Sequence, residues 1–151
     1  MPLCVVMSWI IVGVVAAILV ANLFKLMPRG RIMHIQRLRE EARKLGFRVE
    51  RQLQADHNPL LEHCVGYRKS LTRCPMNKEF SCQRTESGWT WLLGNPESSG
   101  AQPVLDSLPE GIRRIDRQSF SVLVFWIEPQ TLEPLMELDR ALALLPEATD
   151  P

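Results

Sequence analysis

The chain has 151 residues, of which 23% are charged, and a formal net charge of +1. That length allows one modest domain. The average conceals a division. Residues 1–24 carry no Asp, Glu, Lys or Arg, whereas residues 25–51 carry nine Lys/Arg against Glu40, Glu41 and Glu50. The rest is acidic, with Arg140 the only basic residue after Glu128. Basic residues that fade after Arg51 disfavour nucleic acid, whose binders extend their positive charge over a folded face.

The first predicted element is "LCVVMSWIIVGVVAAILVANLF", residues 3–24. A membrane span needs roughly 20 predominantly apolar residues, and this run meets that. Met7, opening "MSWII", is an alternative start that still leaves about 18. A cleavable signal peptide wants a positive n-region and a small-x-small cleavage site. No Lys or Arg precedes the run and "LVANLFK" offers no such site, so an uncleaved anchor over 1–27 is expected. Gly13, Ala17 and Ala21 recur every fourth residue, a small-xxx-small ridge that lets a second helix approach closely. Asn22 beside it is placed to hydrogen-bond across such a pair. These features point to self-association or to a membrane-protein partner.

Orientation follows from the flanks. Lys and Arg collect on the cytoplasmic side of a span, and all of them lie on the C-terminal side. The expectation is a short N-terminus outside and residues 25–151 in the cytoplasm. Cys64, Cys74 and Cys82 leave an odd thiol for an oxidising compartment and no difficulty in a reducing one.

Pro28 and Gly30 form a junction, 28–30, before a domain expected over 31–146 and a tail over 147–151. Ile32, Ile35, Leu38, Ala42 and Leu45 share one helical face over 31–45. Arg37–Glu41 and Glu40–Lys44 are i,i+4 pairs on the other faces, and Gly46 is placed to end the helix in the left-handed conformation. "FRVERQL" alternates as a strand, "ADHNP" reads as a turn, and "VGYRKSL" (65–71) is a second strand. "FSCQR" and "WTWLL" flank "TESG" as a hairpin, with Trp89 and Trp91 on one face. "GNPESSGAQP", 94–103, reads as a loop. "SFSVLVFWI", 119–127, is apolar on both faces and belongs inside a sheet. "TLEPLMELDRALALL" closes the chain as a helix, with Thr131 as candidate N-cap and Leu132, Leu135, Leu138, Leu142 and Leu145 as its stripe. The sum is an α+β fold: an N-terminal transmembrane helix, then an antiparallel or mixed sheet of about four or five strands with helices on one face.

No phosphate-binding, dinucleotide, nucleophile-elbow or HExxH pattern occurs. His57, His63, Cys64, Cys74 and Cys82 are the residues from which a metal or nucleophilic site would be drawn. Their spacing lacks the usual close pair of ligands, and adjacent His63 and Cys64 would point to opposite faces of a strand. No cofactor is expected. Lys25, Arg29, Arg31, Arg37, Arg39, Arg43 and Lys44 form a basic belt. It fixes orientation by snorkelling to headgroups, and anionic lipid headgroups are a second partner for it.

The segment "MPRGRIMHIQRLREEARKLGFRVE" after a span opening "MSWII" resembles uncharacterised small single-span inner-membrane proteins of proteobacteria. The match lies in Leu38, Arg39, Ala42, Leu45 and Gly46. The resemblance implies a bacterial inner-membrane location. The single-span accessory subunit of the bacterial preprotein translocase shows a "GDxVxTxGG"-like element at the corresponding place, where this chain has "GFRVERQL". The functional expectation is a non-enzymatic, single-pass protein whose cytoplasmic domain binds or stabilises a partner, as an accessory subunit of a membrane complex. The alternatives are a membrane-tethered enzyme or metal or ligand binder using the His/Cys set, and an anionic-lipid-binding surface domain.

Overall fold

The computed structural model describes residues 2–26, 30–50 and 58–146. It divides into two compact units, Met1–Met33 and His34–Pro151. The first contains α1 (Pro2–Leu26), a helix of 25 residues. At about 1.5 Å per residue it is about 37 Å long, more than the hydrocarbon core of a bilayer at about 30 Å. It is long and apolar enough to cross a membrane. Every side chain from Pro2 to Lys25 is exposed. The Ser8 hydroxyl donates to the Cys4 carbonyl at 3.0 Å, so this polar group is satisfied within the helix itself.

From His34 onward, α2 (Gly30–Lys44) belongs to the second unit. Gly46, at φ 90°, ends it as the sequence predicts, a conformation that costs an L side chain. Then come β1 (Phe47–Glu50), β2 (Val65–Ser70), β3 (Phe80–Thr85) and β4 (Gly88–Leu93). They are followed by α3 (Pro96–Ser99), α4 (Gln102–Ser107), β5 (Ile112–Arg117), β6 (Ser121–Trp126) and α5 (Glu133–Leu142). Short 3-10 turns occupy Pro59–Leu61 and Met76–Lys78.

The strands form a six-stranded sheet in the order β1-β2-β6-β5-β3-β4, and every pairing is antiparallel. One row of the register runs through Val49, Tyr67, Val124, Ile115, Cys82 and Trp91. This face carries the core. Phe47, Tyr67, Phe80, Ile115, Val122, Val124 and Trp126 meet Leu38 and Ala42 of α2, Val104 and Leu105 of α4, and Leu135, Leu138, Ala141 and Leu142 of α5. The helices therefore cover one face, and β6 lies inside the sheet as its doubly apolar sequence requires.

Three expectations are corrected. The sheet has six strands rather than four or five. The additional one is β5, "IRRIDR", whose charges mask it. A register shift between Ile112 and Arg114 places Ile112 and Ile115 three residues apart, yet both are fully buried. This bulge breaks the period-2 pattern by which a strand is recognised. The stretch 94–103 is not all loop. Asn95 accepts a bond from the Glu97 amide at 2.9 Å and starts α3, and α4 begins at Gln102. Gly94 within it is obligatory: at φ 88° a Cβ would lie 2.5 Å from the Glu79 carbonyl oxygen. Finally, Thr131 does not cap α5, because Leu132 occupies the cap position in helical conformation with no side-chain cap. The remaining residues of "FRVERQL", 51–53, most of "ADHNP" and the tail 147–151 lie outside the described residues.

Candidate functional site

The second unit offers its chemistry where α2 docks on the sheet. Leu38 and Ala42 are buried, which turns Arg39 inward beside them. Arg39 Nε donates to Glu128 Oε1 at 2.6 Å and Nη2 donates to Oε2 at 2.7 Å. This is the bidentate geometry that makes an Arg–carboxylate pair strong. The Tyr67 hydroxyl donates to the same Oε1 at 2.8 Å. Tyr67 is fully buried and stacks edge-on against Trp126, with ring centroids 5.1 Å apart. Burial first, and then the Glu128 carboxylate, push the Tyr67 phenol far above its ordinary range. The hydrogen bond to Glu128 raises the Arg39 guanidinium in turn. Both groups are thus held in one protonation state, and the trio ties α2, β2 and the end of β6 together. It is a clamp, not an acid–base pair poised near neutrality.

Arg39 is therefore withdrawn from the belt that the sequence drew. Lys25, Arg31, Arg37, Arg43 and Lys44 are exposed, and Arg29 lies outside the described residues. Lys44 pairs with Glu41 at 2.7 Å, one residue nearer than the predicted Glu40. Gly13, Ala17, Ala21 and Asn22 are all exposed on α1.

The His/Cys set is dispersed. His57 lies outside the described residues, and His63 is exposed at φ 69°. Cys64 is half-buried, and burial raises its thiol. Cys74 donates to the Gln118 carbonyl at 3.6 Å. Cys82 sits in the core row, where burial and then Asp116 push it up to about 12. A thiol held protonated in this way is a poor nucleophile and a poor metal ligand. Among the described residues no three His, Cys, Asp or Glu side chains gather where a metal ion would sit.

An open cavity of about 540 Å³ lies between the C-terminal end of α5 and the ends of β2 and β5, lined by Lys69, Ser70, Thr72, Arg117, Leu142 and Pro146 among others. Both cations are already engaged. Lys69 reaches Asp139 at 2.5 Å and lies 5.1 Å from the Phe47 ring centroid. Arg117, only 4% exposed, donates to the carbonyls of Gln118 (2.9 Å), Ser121 (3.2 Å) and Thr72 (2.9 Å). It laces the β5–β6 turn to the irregular segment after β2.

The sheet face opposite the helices carries a network of bonded polar side chains beside Leu123 and Phe125. Arg68 Nε meets Glu50 at 2.7 Å, and its Nη1 donates to Gln118 at 3.0 Å and to Ser121 at 3.1 Å. Arg114 meets Asp116 at 3.0 Å, and Ser81 also donates to Asp116. Asn58 donates to Gln83 at 3.2 Å.

No protein-family model, curated protein or solved structure matches this chain. Sequence reading missed Glu128, because a carboxylate just past a strand carries no signal of burial. Tyr67 did carry one. It is the chain's single tyrosine and lies on the apolar side of its strand, and a buried phenol requires a partner.

Proposed function

We propose that this chain is a single-pass membrane protein of the bacterial inner membrane. Its α+β domain stands on the cytoplasmic side and acts by docking to protein partners rather than by catalysis. The observation that carries the reading is α1: apolar on all sides, with every side chain from Pro2 to Lys25 exposed. A helix apolar all round is stable when buried in protein or in lipid. Lys25 and Arg31 on its C-terminal side support the orientation. The domain contributes a rigid scaffold in which Tyr67, Cys82 and Arg117 are committed to structure. A second reading, attraction to anionic headgroups, draws support from the exposed Arg37, Arg43 and Lys44.

The test is fractionation of full-length protein from bacterial membranes, with its intact mass measured. The expected result is resistance to carbonate extraction, an uncleaved N-terminus, and a C-terminal reporter active only in the cytoplasm. A chain shortened by about 20–30 residues would identify a removed signal peptide and sink the anchor. Binding of the extracted protein to vesicles that vanishes with added salt would favour the lipid reading.

A further inference from the structure

Arg39, Arg68 and Arg114 each meet a carboxylate, at 2.6, 2.7 and 3.0 Å. Arg117 meets none among the described residues, yet it is the only buried charged residue among them. Its bonds go to the carbonyls of Gln118, Ser121 and Thr72. Carbonyls position a guanidinium, but they carry no net charge to balance it. A buried charge without a counter-charge is costly. A guanidinium also has five N–H groups. Nη1 spends two on the carbonyls of Gln118 and Ser121, and Nη2 spends one on Thr72. Nε and one N–H of Nη2 remain. These are the same two nitrogens with which Arg39 grips Glu128.

Arg117 lines the open cavity of about 540 Å³, a volume within the range of small-ligand sites. No Asp or Glu lines it, and Leu71, Leu142, Leu145 and Pro146 give it an apolar wall. Lys69, its second cation, is already balanced by Asp139. The charge left over is the single positive charge of Arg117.

We propose that this cavity binds a small monocarboxylate with a short apolar body, its carboxylate on Arg117 and its body against the leucine and proline wall. Charge selects the head: one carboxylate cancels one guanidinium and fits its fork. A phosphate monoester, at about −1.5 to −2, overshoots. The wall selects the body, because a bare inorganic anion leaves those side chains facing water. The site goes beyond the docking function proposed above and does not depend on where the domain stands relative to a membrane.

The experiment titrates hexanoate into the full chain in phosphatidylcholine nanodiscs by calorimetry, with empty discs subtracted. Binding is expected at about 1 mM, with a shift of the Arg117 Nε–H resonance. 1-Hexanol, which lacks the charge, and acetate, which lacks the body, are expected to bind about tenfold more weakly or not at all. Arg117→Lys keeps the charge and loses the fork, and should lose the binding. Because that variant also cuts bonds that lace the fold, two half-exposed positions provide an independent reading. Asp139→Asn raises the charge at the cavity by one and should tighten binding about two- to fivefold, while Lys69→Met lowers it by one and should weaken binding by as much. Hexanol or acetate bound as tightly as hexanoate overturns the proposal. So does a response to the Asp139 and Lys69 variants that is absent or reversed, or heat no greater than that of empty discs. Binding that appears only when residues 147–151 are deleted overturns it as well, and assigns the counter-charge to the chain's own carboxylates.

Discussion

α1 and α5 are both rich in aliphatic residues, and they solve opposite problems. In α5 the apolar residues form a stripe: Leu135, Leu138, Ala141 and Leu142 are at most 2% exposed, while Met136, Glu137 and Arg140 face water. Each fully buried leucine contributes about 1.5–3 kcal/mol. In α1 there is no stripe. Ile10, Ile18 and Leu23 are 59%, 55% and 61% exposed, and no charged group lies opposite them. An amphipathic helix is specified by the protein it packs on. A helix apolar all round is specified by the solvent around it, and water is the wrong one.

Changes placed in one helix and then the other separate the two. The largest effect is expected from removing residues 2–24, which should move the protein from the membrane fraction to the soluble fraction while the domain keeps its melting transition. Within the helix, Val14→Lys should weaken insertion by about 3–4 kcal/mol on translocon scales. A glycosylation-tag insertion assay reads this. If the tagged chain inserts as before, α1 is not read by the membrane as a span. Leu138→Ala in α5 should cost about 2–5 kcal/mol of folding free energy, whereas Ile18→Ala in α1 should leave denaturant unfolding of the domain unchanged. Equal losses from both would mean that α1 packs on protein.

Arg39→Ala comes next. It leaves Glu128 with Tyr67 as its remaining partner, and loss of one member of a buried pair costs about 3–5 kcal/mol. Arg39 is still partly in water, with its side chain 18% exposed, so about 2 kcal/mol is expected. Arg37→Ala, on the exposed side of the same helix, should stay within about 0.5 kcal/mol.

The smallest effect is a pH dependence. The Cys82 thiol is raised from 9.0 to about 12, and Tyr67 is raised as well. Above pH 9 the unfolded chain releases these protons and the folded chain retains them. Their contribution is therefore complete below pH 9 and is lost as pH climbs toward 12. The melting temperature should fall over that window, and Cys82→Ala should flatten the fall after its own cavity cost is subtracted. A thermal profile that stays level to pH 11 would contradict the burial of both groups.

What the sequence made legible follows the same division. α1 was readable from composition because every position votes the same way. α2 was readable from Leu38, Ala42 and Gly46, since helical spacing and a left-handed stop are both local. β5 was not, because its pairing depends on a bulge and its charges find partners only in the folded chain, Arg114 with Asp116 in the same strand and Arg117 on backbone carbonyls beyond it. Arg39 was assigned to the belt because its partner, Glu128, is 89 residues away. Local chemistry gives an arginine in a basic segment, and only the folded sheet turns it inward. The short α3 and α4 were hidden because the residues that start and stop them, Asn95, Pro96, Gly100 and Pro103, also read as loop.

The sheet order carries a further consequence, for synthesis. β2 lies between β1 and β6, so its second edge stays unpaired until residues 121–126 have been made. The central strand is thus the last to arrive, and its contacts close long loops, which slows folding. α1, by contrast, forms from local bonds alone and leaves the ribosome first. At about 5–20 residues per second, several seconds separate the two events. Whatever receives the apolar helix does so while the domain behind it is still an open chain.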